Sequence, residues 1–331
     1  MSHSLSPDLS VYPWHEDIWS QFTRTLQQKR LPHALLLHGM AGLGKKTLAS
    51  HMAAHLLCET ADTLKISCGR CFSCQQDMIS EHPDCILLEP EGESRQIKID
   101  KVRELFIALE QTTVRLKNRV ILIMPAEALN LSSVNALLKR LEEPPPNTYF
   151  ILVSDQPQQL PATLRSRCQA WEIKSSFSDS TVNWLSTHLD LPQAQCTRLL
   201  EQADGCPHAA KACYEEEKMS KDIWQTLAEI HRHPEKTLFH AKKWHEDGLD
   251  KRLKTLMMIS AEQIKKRLRQ PTGNDIPDPH EWINAISLET WTAYQQALLD
   301  IYKSWVITPN LNTHLLSETI LLRWIMLMHP A

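Results

Sequence analysis

The sequence predicts an α/β domain, a parallel sheet with flanking helices, followed by a small helical unit and an all-α C-terminal region. Three observations carry this prediction. Near-continuous apolar runs at 34–38, 85–89, 119–124 and 149–154 suit strands covered on both faces, as in a parallel sheet with helical crossovers. A glycine-rich segment directly follows the first run and opens a helical pattern. After a last short strand at 170–174, strand-like runs cease and helical spacing takes over.

Taken in order, residues 1–174 form the α/β domain, 175–216 a small helical unit and 217–331 a helical C-terminal domain. Asp204-Gly205-Cys206-Pro207 breaks the helices of the middle unit. Leu249, Leu253, Leu256, Ile259 and Ile264 share one face of a later helix, and 271–279 reads as a loop between helices. Trp282, Trp291, Trp305 and Trp324 fit a helical core or an oligomer contact equally well.

Composition bounds the function. Hydrophobic residues make up 42% and charged residues 23%, the balance of a globular chain with a sizeable core. A formal net charge of -3 provides no overall basic field, so contact with nucleic acid must be local or shared with partners. No signal-peptide pattern and no run of about 18 apolar residues occurs, which predicts a cytoplasmic protein without a membrane span. In that compartment the nine cysteines read as buried thiols or metal ligands rather than disulfides.

The segment Gly39-Met-Ala-Gly42-Leu-Gly44-Lys45-Lys46-Thr47 matches a Walker A phosphate loop in its strand–loop–helix setting. Gly39, Gly42 and Gly44 allow backbone N–H groups to wrap a phosphate, and Lys45 supplies a point charge. The following position needs a hydroxyl to ligate Mg²⁺, and it is Lys46; Thr47 falls one residue late, turned by about 100° on a helix. The strand at 119–124 ends in Met124-Pro125, where a hydrolysing site needs a metal-binding carboxylate and a base. Glu127 lies in the next turn and is a poor replacement. ATP binding is therefore in doubt, and hydrolysis by this chain is not expected.

Cys68, Cys71 and Cys74 are spaced as CxxCxxC, with Cys58 upstream at the end of the helix that the phosphate loop opens. Four thiolates suit a closed, structural Zn²⁺ site in a module at about 58–74, with His55 a weaker alternative ligand. Cys85, Cys168, Cys196, Cys206 and Cys213 lack metal spacing and read as buried small hydrophobes. Arg165-Ser-Arg167 stands before the last strand, and Arg167 is the candidate arginine finger, acting in trans on a neighbour's nucleotide.

Several segments in order resemble bacterial DNA polymerase III clamp-loader subunits of the AAA+ class: RLPHALLLHG at 30–39, the cysteines, HPD at 82–84, IKIDKVREL at 97–105, NALLKRLEEPP at 135–145 and SRC at 166–168. The likeness is looser at 203–210 and 311–324. It implies an AAA+ P-loop domain, a lid domain at 175–216 and a C-terminal collar domain at 217–331. Within the family the motor subunits keep the metal-binding motifs, whereas a stator subunit lacks them but keeps the SRC arginine, as here. His208 would align with a sensor arginine of the motors. The resemblance implies a component of the DNA-directed DNA polymerase holoenzyme, without its own ATPase activity. Its partners would be the gamma/tau motors and the delta subunit, and through them the sliding clamp and primed DNA. Two other readings stay open: an active AAA+ ATPase with an unorthodox Mg²⁺ site, and a zinc-dependent nucleic-acid-binding module.

Overall fold

The computed structural model describes residues 11–60, 66–75, 82–91, 94–110, 118–246, 248–268, 281–308 and 311–328. The expected loop at 271–279 lies outside them. The chain forms two compact units, Met1–Lys211 and Ala212–Ala331.

In the first unit the helices α1 (Glu16–Gln27), α2 (Lys45–Leu57), α3 (Phe72–Gln75), α4 (Ile99–Glu110), α5 (Leu131–Glu142) and α6 (Ala162–Arg165) alternate with five strands. These are β1 (Ala34–His38), β2 (Cys85–Leu88), β3 (Arg119–Ile123), β4 (Thr148–Ser154) and β5 (Gln169–Glu172). Each strand falls on its apolar run to within two residues. The sheet order is β2-β3-β4-β1-β5, and every pairing is parallel, Leu36 lying opposite both Leu152 and Ala170. This is the α/β P-loop architecture that the sequence predicts.

The alternation along each strand divides two cores. Leu35, Leu37, Val120, Leu122, Ile151 and Val153 face α1 and α2, where Phe22, Leu48 and Met52 are fully buried. Leu36, Ile121, Ile123, Phe150 and Leu152 face α4 and α5 through Val102, Leu105, Val134, Leu137 and Leu141. Burial on both faces is why these strands carry no polar alternation. The sheet is thus a rigid base, and the loops at the carboxyl ends of β1, β3 and β4 lie side by side.

Beyond β5, α7 (Asp179–Leu189), capped by Ser178, and α8 (Gln193–Gln202) lead to a turn with Asp204 and Gly205 at positive φ. A long helix, α9 (Pro207–Arg232), follows. The second unit is helical, with α10 (Thr237–Glu246), α11 (Leu249–Leu268), α12 (Leu288–Ile307) and α13 (Thr313–Met328). Leu249, Leu253, Leu256 and Ile259 are buried as their spacing predicts, and Ile264 is partly buried. Trp244, Trp291, Tyr294 and Trp324 are fully enclosed in this unit's own core, with Trp291 and Trp324 rings 5.4 Å apart. Trp282 and Trp305 pack partly buried against them. Among the described residues no helix is long and apolar enough to cross a membrane.

Candidate functional site: the phosphate loop, the cysteine knot and the edge arginine

The loop between β1 and α2 is built on three glycines with positive φ, and Gly44 caps α2 in the left-handed region at +73°. A Cβ at Gly42 would come within 2.6 Å of Ala209 Cβ and 2.8 Å of Ala209 N, and one at Gly44 within 3.0 Å of His208 Nε2. The glycines therefore admit the first turn of α9 against the loop. His208 N–H donates to Gly42 O at 3.0 Å. Trp14 Nε1–H donates to Leu43 O at 2.9 Å, and His15 Nε2 lies 2.7 Å from the same carbonyl.

Tyr12, Trp14, Trp184 and His208 form a ring cluster over the loop, Tyr12 stacking on Trp14 at 4.8 Å and Trp184 edging Trp14 at 4.9 Å. Tyr12 and His208 thus close the space beside Gly44. Burial pulls His15, His51 and His208 down to about 4, Lys211 and His188 adding to the effect at His208. All three are neutral near pH 7.

Lys45 is 3% exposed and folds back on its own loop. Its Nζ donates to Gly39 O at 2.8 Å and to Met40 O, and pairs with Asp155 Oδ1 at 2.6 Å. Lys46 is exposed and Thr47 half-buried on the first turn of α2. Glu127 is held at the end of β4: its Oε1 accepts from Ser154 Oγ at 2.5 Å and from Gln156 N–H at 2.6 Å, and its buried Oε2 has no hydrogen-bond partner among the described residues. Met124, at the end of β3, is a buried core side chain.

The four expected metal cysteines converge. The sulfurs of Cys58, Cys68, Cys71 and Cys74 all lie within 4.8 Å of one another, with Cys71–Cys74 at 3.3 Å and Cys68–Cys74 at 3.7 Å. A tetrahedral tetrathiolate with bonds of about 2.3 Å needs sulfurs about 3.8 Å apart, so the donors fit a metal ion of zinc's size. Backbone N–H groups of Cys68, Arg70 and Cys71 point at the Cys58 and Cys68 sulfurs at 3.3 to 3.5 Å, the support that anionic sulfur requires. Hydrogen bonds, from the Thr60 side chain first, draw Cys68 down to about 5, whereas burial pushes Cys74 up to about 12. His55 turns away into the core: its Nδ1 lies 3.1 Å from Ile66 O and its ring edges onto Trp19 and Phe22. Cys85, Cys168, Cys196 and Cys206 are buried as expected, but Cys213 is exposed on α9, because a lone cysteine at helical spacing carries no signal for which face it joins.

Arg167 follows α6 before β5. Its Nε donates to Glu142 Oε1 at 2.6 Å, its Nη2 to the same oxygen, and its Nη1 to Thr163 O at 2.8 Å. It shares no hydrogen bond or ion pair with the phosphate loop among the described residues.

Four participants escape the sequence reading. Asp155 sits directly after an apolar run and has no motif of its own. Glu142 lies inside NALLKRLEEPP, a segment that signals family but not contact. Tyr12 and Trp14 precede the first helix, where one aromatic residue more or less is uninformative.

Residues 14–177 match the family described as DNA polymerase III, delta subunit. The chain is 39% identical over 202 residues to DNA polymerase III subunit delta' of Pseudomonas aeruginosa, covering 61% of this chain and 60% of the relative. It is 34% identical over 214 residues to subunit delta' of Escherichia coli, covering 65% and 62%. It is also 35% identical over 160 residues to subunit tau of Salmonella typhimurium, covering 48% and 24%. The match thus spans about three-fifths of the length of these delta' relatives.

Proposed function

Through residues 14–177 this chain belongs to the DNA polymerase III delta-subunit family, and from that membership we propose that it is the non-hydrolysing stator of a bacterial replicative clamp loader. In this reading it has no ATPase activity of its own and serves as a component of the DNA-directed DNA polymerase holoenzyme. It joins the gamma/tau motors and the delta subunit to load the sliding clamp on primed DNA. The likeness to both delta' and tau relatives supports these partners. Residues 175–216 act as the lid and 217–331 as the collar.

One observation carries the non-hydrolysing assignment. The phosphate-loop cation is spent on Asp155 and two loop carbonyls, and the next residue, where a metal-binding hydroxyl belongs, is Lys46. Met124-Pro125 supplies neither a metal ligand nor a base, and Glu127 lies in the turn beyond the strand with its Oε1 engaged by Ser154 and Gln156. The thiolates of Cys58, Cys68, Cys71 and Cys74 hold Zn²⁺ with no position open to substrate, so the metal stabilises the loop. Arg167 supplies the arginine finger to the ATP site of the adjacent motor.

The test is reconstitution with motor and delta subunits, reading clamp- and primed-DNA-stimulated ATP hydrolysis and clamp loading. The proposal expects the chain to complete the assembly and to restore the stimulated rate while hydrolysing nothing alone. Hydrolysis by the lone chain, abolished by Glu127→Gln, would favour an active enzyme instead. Failure to join the assembly would overturn the stator reading.

A further inference from the structure

Glu142 is the last residue of α5, where the unpaired carbonyls carry partial negative charge and where Lys139 and Arg140 are the favourable neighbours. A carboxylate at that end opposes the helix dipole, so helix stability does not account for it. Its Oε1 instead accepts both Nε and Nη2 of Arg167, while Thr163 O accepts Nη1 at 2.8 Å. The side chains are 31% and 48% exposed, and an ion pair so placed adds little to the fold.

What the pair does accomplish is to fix a long side chain. Arginine has five N–H donors in a rigid fork; three are engaged here, which leaves two for a further acceptor. A free arginine must give up rotamer entropy to dock on a phosphate, and one already held gives up less.

We propose that Glu142 is a positioning residue: it holds the Arg167 guanidinium so that its two remaining N–H groups meet the phosphates of a nucleotide bound by the neighbouring subunit. This rests on the arginine-finger reading of Arg167. Glu142 touches neither nucleotide nor metal and acts only through Arg167.

The experiment is a double-substitution cycle in the full reconstituted assembly, with Glu142→Ala, Arg167→Ala and both together. The clamp- and DNA-stimulated kcat and the KM for ATP are measured, with assembly checked by size-exclusion chromatography. Glu142→Ala is expected to lower kcat roughly 3- to 10-fold at a KM within about twofold of wild type, and to change nothing further once Arg167 is alanine. A general structural role of Glu142 would lower the rate equally in both backgrounds and overturn the proposal. A Glu142→Ala rate equal to wild type, with Arg167→Ala impaired, would also overturn it and leave the finger standing. An unimpaired Arg167→Ala would remove the finger itself, and the proposal with it. Should Glu142→Ala fail to assemble, Glu142→Gln, which keeps the shape and an acceptor oxygen, carries the same cycle with a smaller expected loss and the same overturning results.

Discussion

Lys45 Nζ lies 2.6 Å from Asp155 Oδ1, so the cation of the phosphate loop is neutralised by a carboxylate just past the neighbouring strand. The lysine is buried and the carboxylate half-exposed, and Gly39 O and Met40 O complete the shell. Lys45→Met leaves two loop carbonyls and one carboxylate without their donor. The expected loss is about 1 to 3 kcal/mol of unfolding free energy, with solvent screening of Asp155 favouring the lower end. Urea unfolding measures it. In parallel, millimolar Mg-ATP or Mg-ADP is expected to leave the wild-type Tm unchanged, because a ligand that does not bind the folded state does not stabilise it. A shift of several degrees would mean that the loop still accepts nucleotide.

Gly42 has φ +83° and a Cβ there would meet Ala209 at 2.6 Å. Gly42→Ala adds both backbone strain and a clash against a helix backbone that cannot rotate away. A loss of roughly 2 to 4 kcal/mol is expected, reading out as a lower urea midpoint at unchanged slope. Near-wild-type stability would show that the first turn of α9 does not bear on the loop.

The cysteine knot is expected to carry one zinc per chain, measured by elemental analysis of the purified protein. Cys58→Ser is expected to lose most of the metal, since binding free energies of about 10 to 16 kcal/mol depend on all four thiolates. It should also lower the Tm, and chelation of the wild type should do the same. Full zinc retention in Cys58→Ser would assign the fourth ligand elsewhere.

His15, His51 and His208 are held neutral by burial, each near 4 against an ordinary 6.5. Between these values the unfolded chain binds more protons than the folded one, so stability is full above about pH 6.5 and falls as the pH drops toward 4. Each histidine contributes at most about 1.4 kcal/mol per pH unit in that window. Stability measured by urea at pH 7.0, 6.0 and 5.0 should decline, and His208→Gln should flatten the slope. An unchanged slope in that variant would remove His208 from the set.

Arg167→Ala is expected to leave the lone chain within about 1 kcal/mol of wild type, because its ion pair with Glu142 is partly exposed. In the assembly it should slow hydrolysis at the adjacent motor site by roughly 10³-fold or more. Single-turnover hydrolysis with one competent motor site isolates that step. Equal rates would leave Arg167 as a surface residue of the SRC turn.

By itself the sequence determined the five strands, the glycine loop and its lost metal ligand, the cysteine quartet and the turn that carries Arg167. Each is encoded locally: an apolar run fixes a doubly covered strand, a positive φ demands glycine, and close thiol spacing is seldom maintained without a metal. Only the tertiary structure decided what the charged and aromatic side chains do. Asp155 meets Lys45 because β4 and β1 are neighbours in the sheet, and Glu142 meets Arg167 because α5 ends beside the turn before β5. Tyr12, Trp14 and His208 reach the loop from opposite ends of their unit. Such partners are chosen by proximity in space, and a short-range pattern holds no record of it.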